Sequence, residues 1–238
     1  MPSQQVFLNA KAFIKMKDAK SSINHHPSTI NHYSIMKKIL LSLMIIAAPM
    51  WMAAQDHAVL DAIKQVGSST TSIVSRLQQD KYVALLETTV SSTASFQYAP
   101  GLMSIHYDEP AGDCFVINDM QVMMVTKGKR RVMSAKSGTA KMMRIMLLAA
   151  MTGDYHEAEE YMTKMNVDEL DDCHIVEVEL DDEKARGGIS KVEARYDKGT
   201  GRIGTIMMHY TNGDYTSYTL TDVRVGAQLD SSLFAIKK

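Results

Sequence analysis

The chain has 238 residues, with 26 Lys and Arg against 27 Asp and Glu. This balance argues against a nucleic-acid binder, which carries a basic excess or stripe, and no basic amphipathic helix marks a membrane-surface protein. Apolar residues make up 45% of the chain, which suits a globular core, and 19 residues are Met, an unbranched side chain that adapts to irregular or changing apolar shapes.

The first informative stretch is Lys37-Lys38 followed by the apolar run 39–48. The run is too short to span a bilayer, which takes about 20 residues. Small Ala53-Ala54 then precedes polar Gln55-Asp56, as in a secretory signal peptide over 36–54, although Met52 occupies a position where a small residue is preferred. Met36 reads as the natural start, leaving 1–35 as an unstructured upstream extension; the alternative is a long charged leader. No Cys follows the run, so a lipid-anchored mature terminus is not expected. Residues 55–238 suit one domain.

In the mature part, Val59, Ile63 and Val66 have helical spacing, which predicts a first helix over 58–66 with Gly67-Ser68-Ser69-Thr70 as its stop. Residues 73–83 read as a strand, and Ala84-Leu85-Leu86 as its continuation or a bend. Residues 88–98 have strand composition, and Pro100-Gly101 is a turn. Met103, Ile105 and Tyr107 alternate with Leu102, Ser104 and His106 until Pro110 stops the strand. Strands 114–118, 120–126 and 129–134 follow, the last two joined by a hairpin at Lys127-Gly128.

The pattern changes at Gly138. Residues 141–151 (KMMRIMLLAAM) are good helix formers, apolar on nearly every face. Such a helix is buried or inserted into something. A second, amphipathic helix is predicted over 156–166, with Tyr161, Met162 and Met165 on one side, before an acidic loop at 168–172. Clean period-two alternation then returns. His174, Val176, Val178 and Leu180 share one face, as do Val192, Ala194 and Tyr196. Strands 202–210 and 215–225 flank the hairpin signal Asn212-Gly213. Strands, a buried helix, then more strands predict one curved antiparallel sheet with the helix on its concave side.

Motifs for bond chemistry fail their structural tests. Gly199-Thr200-Gly201-Arg202-Ile203-Gly204 fits a dinucleotide fingerprint by spacing, but a strand follows where a helix is required, so it reads as a hairpin turn. Asp168, Glu169, Asp171 and Asp172 lack the alternate-ligand spacing of a calcium loop. His106, His156, His174 and His209 have no zinc spacing, and His174 reads as a satisfied core residue. No GxSxG elbow occurs. Cys114 and Cys173 allow a disulfide or two buried free thiols. Neither an enzyme, a metal nor a cofactor is expected.

Several short motifs occur in an order that resembles the outer-membrane lipoprotein carrier (LolA-like) family. They are Ile73–Lys81 with Leu85-Leu86, Tyr107-Asp108-Glu109-Pro110, Gly213–Thr216 with Tyr218–Asp222, and Leu229–Ile236 with its Phe-x-Ile ending. The set covers about 73–236. The resemblance implies an α+β, mostly β fold: a half-open antiparallel β-barrel, or strongly curved sheet, with helices covering the concave face. It also implies a periplasmic monomer that carries lipoprotein acyl chains, or a related lipid, between an inner-membrane releasing complex and an outer-membrane receptor. The competing reading is a non-carrier envelope sensor or assembly protein acting through protein contacts on the same fold.

On this reading the 141–151 helix is a lid. The expected cavity residues are Val83, Leu85, Ile105, Met142, Met143, Met146, Leu147, Val176, Val178, Met207, Tyr218 and Leu220. Period two fixes the alternation along each strand but not which face is concave. Family members place Arg-Trp shortly before the Tyr-x-x-Pro, and the Arg links barrel to lid. Here those positions are Ser104 and Ile105, so Ser104 is the expected site of a weakened latch.

Overall fold

The structure is a computed structural model, and it describes residues 57–184 and 187–236. The predicted signal peptide and upstream extension lie outside the described residues. No helix among those described is long and apolar enough to cross a membrane.

Helix α1 spans 57–69. Eleven strands follow: β1 (Ile73–Val83), β2 (Thr88–Ala99), β3 (Leu102–Tyr107), β4 (Cys114–Ile117), β5 (Gln121–Thr126), β6 (Lys129–Ser134), β7 (Met162–Glu169), β8 (Cys173–Leu180), β9 (Ile189–Asp197), β10 (Ile203–Tyr210) and β11 (Tyr215–Val225). Helix α2 (Gly138–Thr152) separates β6 from β7. All pairings are antiparallel, in the order β6-β5-β4-β3-β2-β1-β11-β10-β9-β8-β7. The first and last strands therefore pair in the middle of the sheet. Its two free edges, β6 and β7, are consecutive in sequence, and α2 is the connection between them. The curved sheet stays unclosed, and the helix contacts β5, β6 and β10. Register shifts within β1–β11, β9–β10 and β7–β8 bend the strands.

The concave face carries the core. One cross-strand row runs through Tyr107, Ala94, Leu77 and Leu220, and the next through Tyr218, Ile206, Ala194 and Val176. Helix α2 lies over it with Met142, Ile145, Met146, Ala149 and Ala150 buried. The convex face has a smaller cluster of Cys114, Val116 and Met123, with Ile236 packed on it. The C-terminal segment is tied there. Asp230 N donates to Gln97 Oε1 (3.0 Å), Asn118 Nδ2 to the Phe234 carbonyl (3.4 Å), and His106 Nε2 lies 3.2 Å from the Leu233 carbonyl.

Three expectations about the secondary structure need correction. Helix α1 runs through Gly67 instead of stopping there. The residue serves close approach: a Cβ at Gly67 would lie 2.1 Å from the Thr152 carbonyl oxygen. Residues 156–166 are not a helix; a short 3-10 turn over His156–Tyr161 gives way to β7. Met165 and Val167 obey strand spacing and pair with Val178 and Val176. The helix-like spacing of Met162 and Met165 comes from a register shift between Met162 and Lys164, with Thr163 and Lys164 exposed between them. Finally, Asp168 and Glu169 belong to β7, so the acidic loop shrinks to a tight turn closed by Leu170 N donating to the Cys173 carbonyl (2.9 Å).

The glycine motif is a hairpin turn, as expected. Asp197 organises it: its carbonyl accepts from Gly201 N (2.7 Å) and its carboxylate from Thr200 N (2.8 Å). Both cysteines are free; Cys114 is buried, while Cys173 is half-buried, not fully so. His174 has a buried Nδ1 without a hydrogen-bond partner, so it is not the satisfied core residue the sequence implies.

Candidate functional site

Between α2 and the concave face lies a cavity of about 440 Å3, within the size range of small-ligand sites, about 300–1,000 Å3. From the helix, Met143, Leu147 and Met151 enter it. They stand four residues apart, so they fall on one helical stripe. The sheet adds Phe96 of β2, Ile105 of β3, Phe115 of β4, Met124 of β5, Met208 of β10 and Leu220 of β11. The rim is polar, with Lys81, Ser92, Glu109 and Asp113. Asp113 is buried, and its carboxylate accepts from Lys127 N (2.8 Å) and Gly128 N (3.3 Å), so it also fixes the β5–β6 turn.

Five of the twelve expected cavity residues meet in this space: Ile105, Met143, Leu147, Tyr218 and Leu220. The other seven do not line it. Met142 and Met146 lie on the neighbouring side of α2, buried in the core, as are Val176 and Val178 on β8. Met207 pairs with Glu193 and Ser217 and faces the convex side, while Met208 lines the cavity. Val83 ends β1. Leu85 is 92% exposed and Leu86 68% exposed, because the chain leaves the strand in a 3-10 turn (Ala84–Leu86) closed by left-handed Glu87. Ala84 N donates to Asp214 Oδ1 (2.9 Å), which fixes this tip against the β10–β11 turn.

Residues that the sequence reading missed include Phe96, Tyr107, Met151, Met208 and Tyr210. The spacing of Met143, Leu147 and Met151 and the alternation of Met103, Ile105 and Tyr107 were the available signals.

Ser104 is not positioned to latch α2. Its neighbours Met103 and Ile105 line the cavity, so its own side chain points to the convex face. There it is fully buried, its Oγ unpartnered, between strand neighbours Gln97 and Val116 that the C-terminal segment touches. The helix is fastened by a different group. Tyr196 of β9 donates its hydroxyl to the Ala150 carbonyl (2.8 Å). Tyr155 lies 2.8 Å from the Tyr196 oxygen; since Tyr196 has spent its proton on Ala150, Tyr155 is the donor. Ala150 is in the last turn of α2, where carbonyls lack helical partners. Gly153, at φ 69°, ends the helix and donates to the Ala149 carbonyl (2.7 Å). A Cβ there would lie 2.5 Å from Ile63 Cγ2, so the same glycine lets α1 pack against the end of α2. At the start of α2, Lys141 Nζ pairs with Glu160 Oε1 (2.6 Å) and lies 5.6 Å from the Tyr161 ring centroid.

Among the described residues, no three His, Cys, Asp or Glu side chains gather as a metal site would require. The arrangement offers an apolar enclosure, an adaptable helical cover and a polar rim.

Comparison with solved structures finds matches of low sequence identity. A LolA superfamily protein from Nitrosomonas europaea is 9% identical over 76% of this chain and 97% of its own, with a TM-score of 0.42. MucB in the Pseudomonas aeruginosa MucA/MucB complex is 10% identical over 76% of this chain and 60% of its own (TM-score 0.45). The Mycobacterium tuberculosis lipoprotein LppX is 11% identical over 74% and 98% (TM-score 0.38). No curated protein matches the chain. The family described as outer membrane lipoprotein carrier protein LolA matches residues 70–237, from just after α1 to the end of the C-terminal segment. The chain belongs to the LolA family.

Proposed function

We propose that this protein is exported to the periplasm through a cleaved signal peptide over 36–54 and there binds acyl chains. It carries those of lipoproteins, or of a related lipid, between the two membranes without bond chemistry. The observation that carries this reading is the 440 Å3 cavity walled by apolar side chains and covered by the Met143, Leu147 and Met151 stripe. Methionine has three flexible torsions and a polarizable sulfur, so such a wall accommodates chains of varying shape without a fixed jigsaw fit. Transfer needs a loading and a receiving partner, an inner-membrane releasing complex and an outer-membrane receptor. Native mass spectrometry of protein purified from its own periplasm tests the proposal. Co-purified acyl lipid supports it. An empty protein holding a stable protein partner overturns it in favour of a sensor or assembly role.

A further inference from the structure

Three tyrosines interrupt the apolar wall of the cavity. Tyr107 ends β3, Tyr210 ends β10 and Tyr218 sits in β11, and all three line the one space. None of their hydroxyls has a hydrogen-bond partner among the described residues. Elsewhere in the fold, Tyr196 and Tyr155 satisfy their hydroxyls through each other and a backbone carbonyl, whereas the Tyr98 hydroxyl is sealed in the core without a partner and out of reach of the cavity. Three unspent phenolic donors beside an apolar wall fit a ligand that is mostly hydrocarbon but carries a compact acceptor.

The surroundings define that acceptor. Burial, then Asp113 and Tyr210, push Tyr107 up to about 12, and burial with Tyr107 and Tyr210 nearby pushes Tyr218 upward. The hydroxyls are therefore neutral donors at physiological pH. The charged residues of the lining are Lys81, Glu109 and Asp113, one cation against two anions. The field of Asp113 that resists a negative charge on the Tyr107 oxygen also resists one on a ligand atom beside it.

Resting on the acyl-binding reading above, we propose that Tyr107, Tyr210 and Tyr218 form a carbonyl-holding subsite. It selects the neutral ester or amide carbonyl of an acylated molecule over the carboxylate of a free fatty acid. The apolar wall takes the chain, and the hydroxyls fix how far the chain enters. The subsite thereby distinguishes a chain attached to something from a free one.

The test measures displacement of the apolar fluorophore N-phenyl-1-naphthylamine from the full mature protein by monopalmitoylglycerol, a palmitoyl-peptide amide and palmitate. Variants are Tyr107→Phe, Tyr210→Phe, Tyr218→Phe and the triple replacement. Ester or amide should bind at least about tenfold more tightly than palmitate, and whichever of the two binds better identifies a glycerolipid or an acylated polypeptide as the source. Each Phe replacement should weaken that ligand about three- to tenfold, as expected for one hydrogen bond. Fluorophore affinity should stay within about twofold of the unmodified protein, since the wall is unchanged; this also reports that the variants are folded. Palmitate binding as tightly as the ester, or ester binding indifferent to the triple replacement, overturns the subsite while leaving the acyl cavity standing. Failure of the unmodified protein to bind fluorophore or any acyl probe overturns the acyl-binding reading itself.

Discussion

Replacing Tyr196 by Phe tests what holds α2 to the sheet. The ring stays, with its packing at 1% exposure, and only the hydroxyl is lost. Two groups then lose their partner together: the Ala150 carbonyl and the Tyr155 hydroxyl, the latter on a residue 6% exposed. A buried polar group left unpaired costs about 1–3 kcal/mol, so Tyr196→Phe should destabilise by about 2–4 kcal/mol. For a domain of this size that corresponds to roughly 5–15 °C in Tm. Tyr155→Phe removes only the outer donor and leaves the Tyr196 bond to Ala150 in place, so it should cost about 1 kcal/mol. In the double variant the effects should fall short of additivity, because the two hydroxyls share one bond. Thermal unfolding gives the order, and hydrogen exchange across 146–155 should quicken in Tyr196→Phe more than in the strands. If Tyr155→Phe costs as much as Tyr196→Phe, or if both melt within about 1 °C of the unmodified protein, the tyrosine pair does not fasten the helix.

Three other substitutions separate the structure from the sequence reading. Ser104→Arg would strengthen a lid if that position faced α2; because it is fully buried under the C-terminal segment, the change should instead destabilise by about 2–4 kcal/mol through overpacking and an unpaired buried charge, and a raised Tm would refute the placement. Leu85→Asp with Leu86→Asp should leave stability within about 0.5 kcal/mol per site and probe binding intact, since both side chains stand in solvent; lost probe affinity would return Leu85 to the cavity wall. His209 is held below the ordinary histidine value by burial, then by Lys191, with Glu193 and Glu177 opposing. Between its lowered folded value and the unfolded value near 6.5, the unfolded chain binds more protons. Stability is therefore fully present above about pH 6.5 and falls as acid is added through that window. His209→Gln should flatten this part of the stability curve in urea melts, and an unchanged slope would contradict the assignment.

The residues make some of this architecture legible and conceal the rest for physical reasons. Hairpins at Lys127-Gly128 and Asn212-Gly213 are legible because tight turns demand those residues, and α2 because a helix apolar all round must be covered. The β7 strand is not, because an edge strand with solvent on much of its surface has little alternation to display. Leu85 extends an apolar run that the backbone abandons at Val83, and the place of Ser104 in a motif does not show that its side chain faces away from α2. Nor does composition mark which alternate set on β10 is concave. Gly204, Ile206 and Met208 form one set and Thr205, Met207 and His209 the other, and each set contains a methionine.

That last ambiguity has a direct test in two adjacent residues of one type. Met208 is 5% exposed, lines the cavity and pairs across the sheet with Val192 and Thr216. Met207 is half-buried on the convex side between Glu193 and Ser217. Glutamate at 208 would place a carboxylate in an apolar enclosure, at a cost of several kcal/mol unless it takes a proton or reaches water. Acyl-probe affinity should fall by more than about tenfold, with a loss of stability alongside. Glutamate at 207 has water within reach, and its penalty is mainly repulsion from Glu193, a surface-scale effect of about 1 kcal/mol or less. Probe affinity should then change by less than about twofold. Because the two substitutions have the same chemistry and differ by one residue in position, general weakening of β10 would affect both. If Met207→Glu abolishes binding and Met208→Glu leaves it intact, the concave face has been assigned to the wrong set, and the cavity wall built from Ile206 and Met208 must be abandoned.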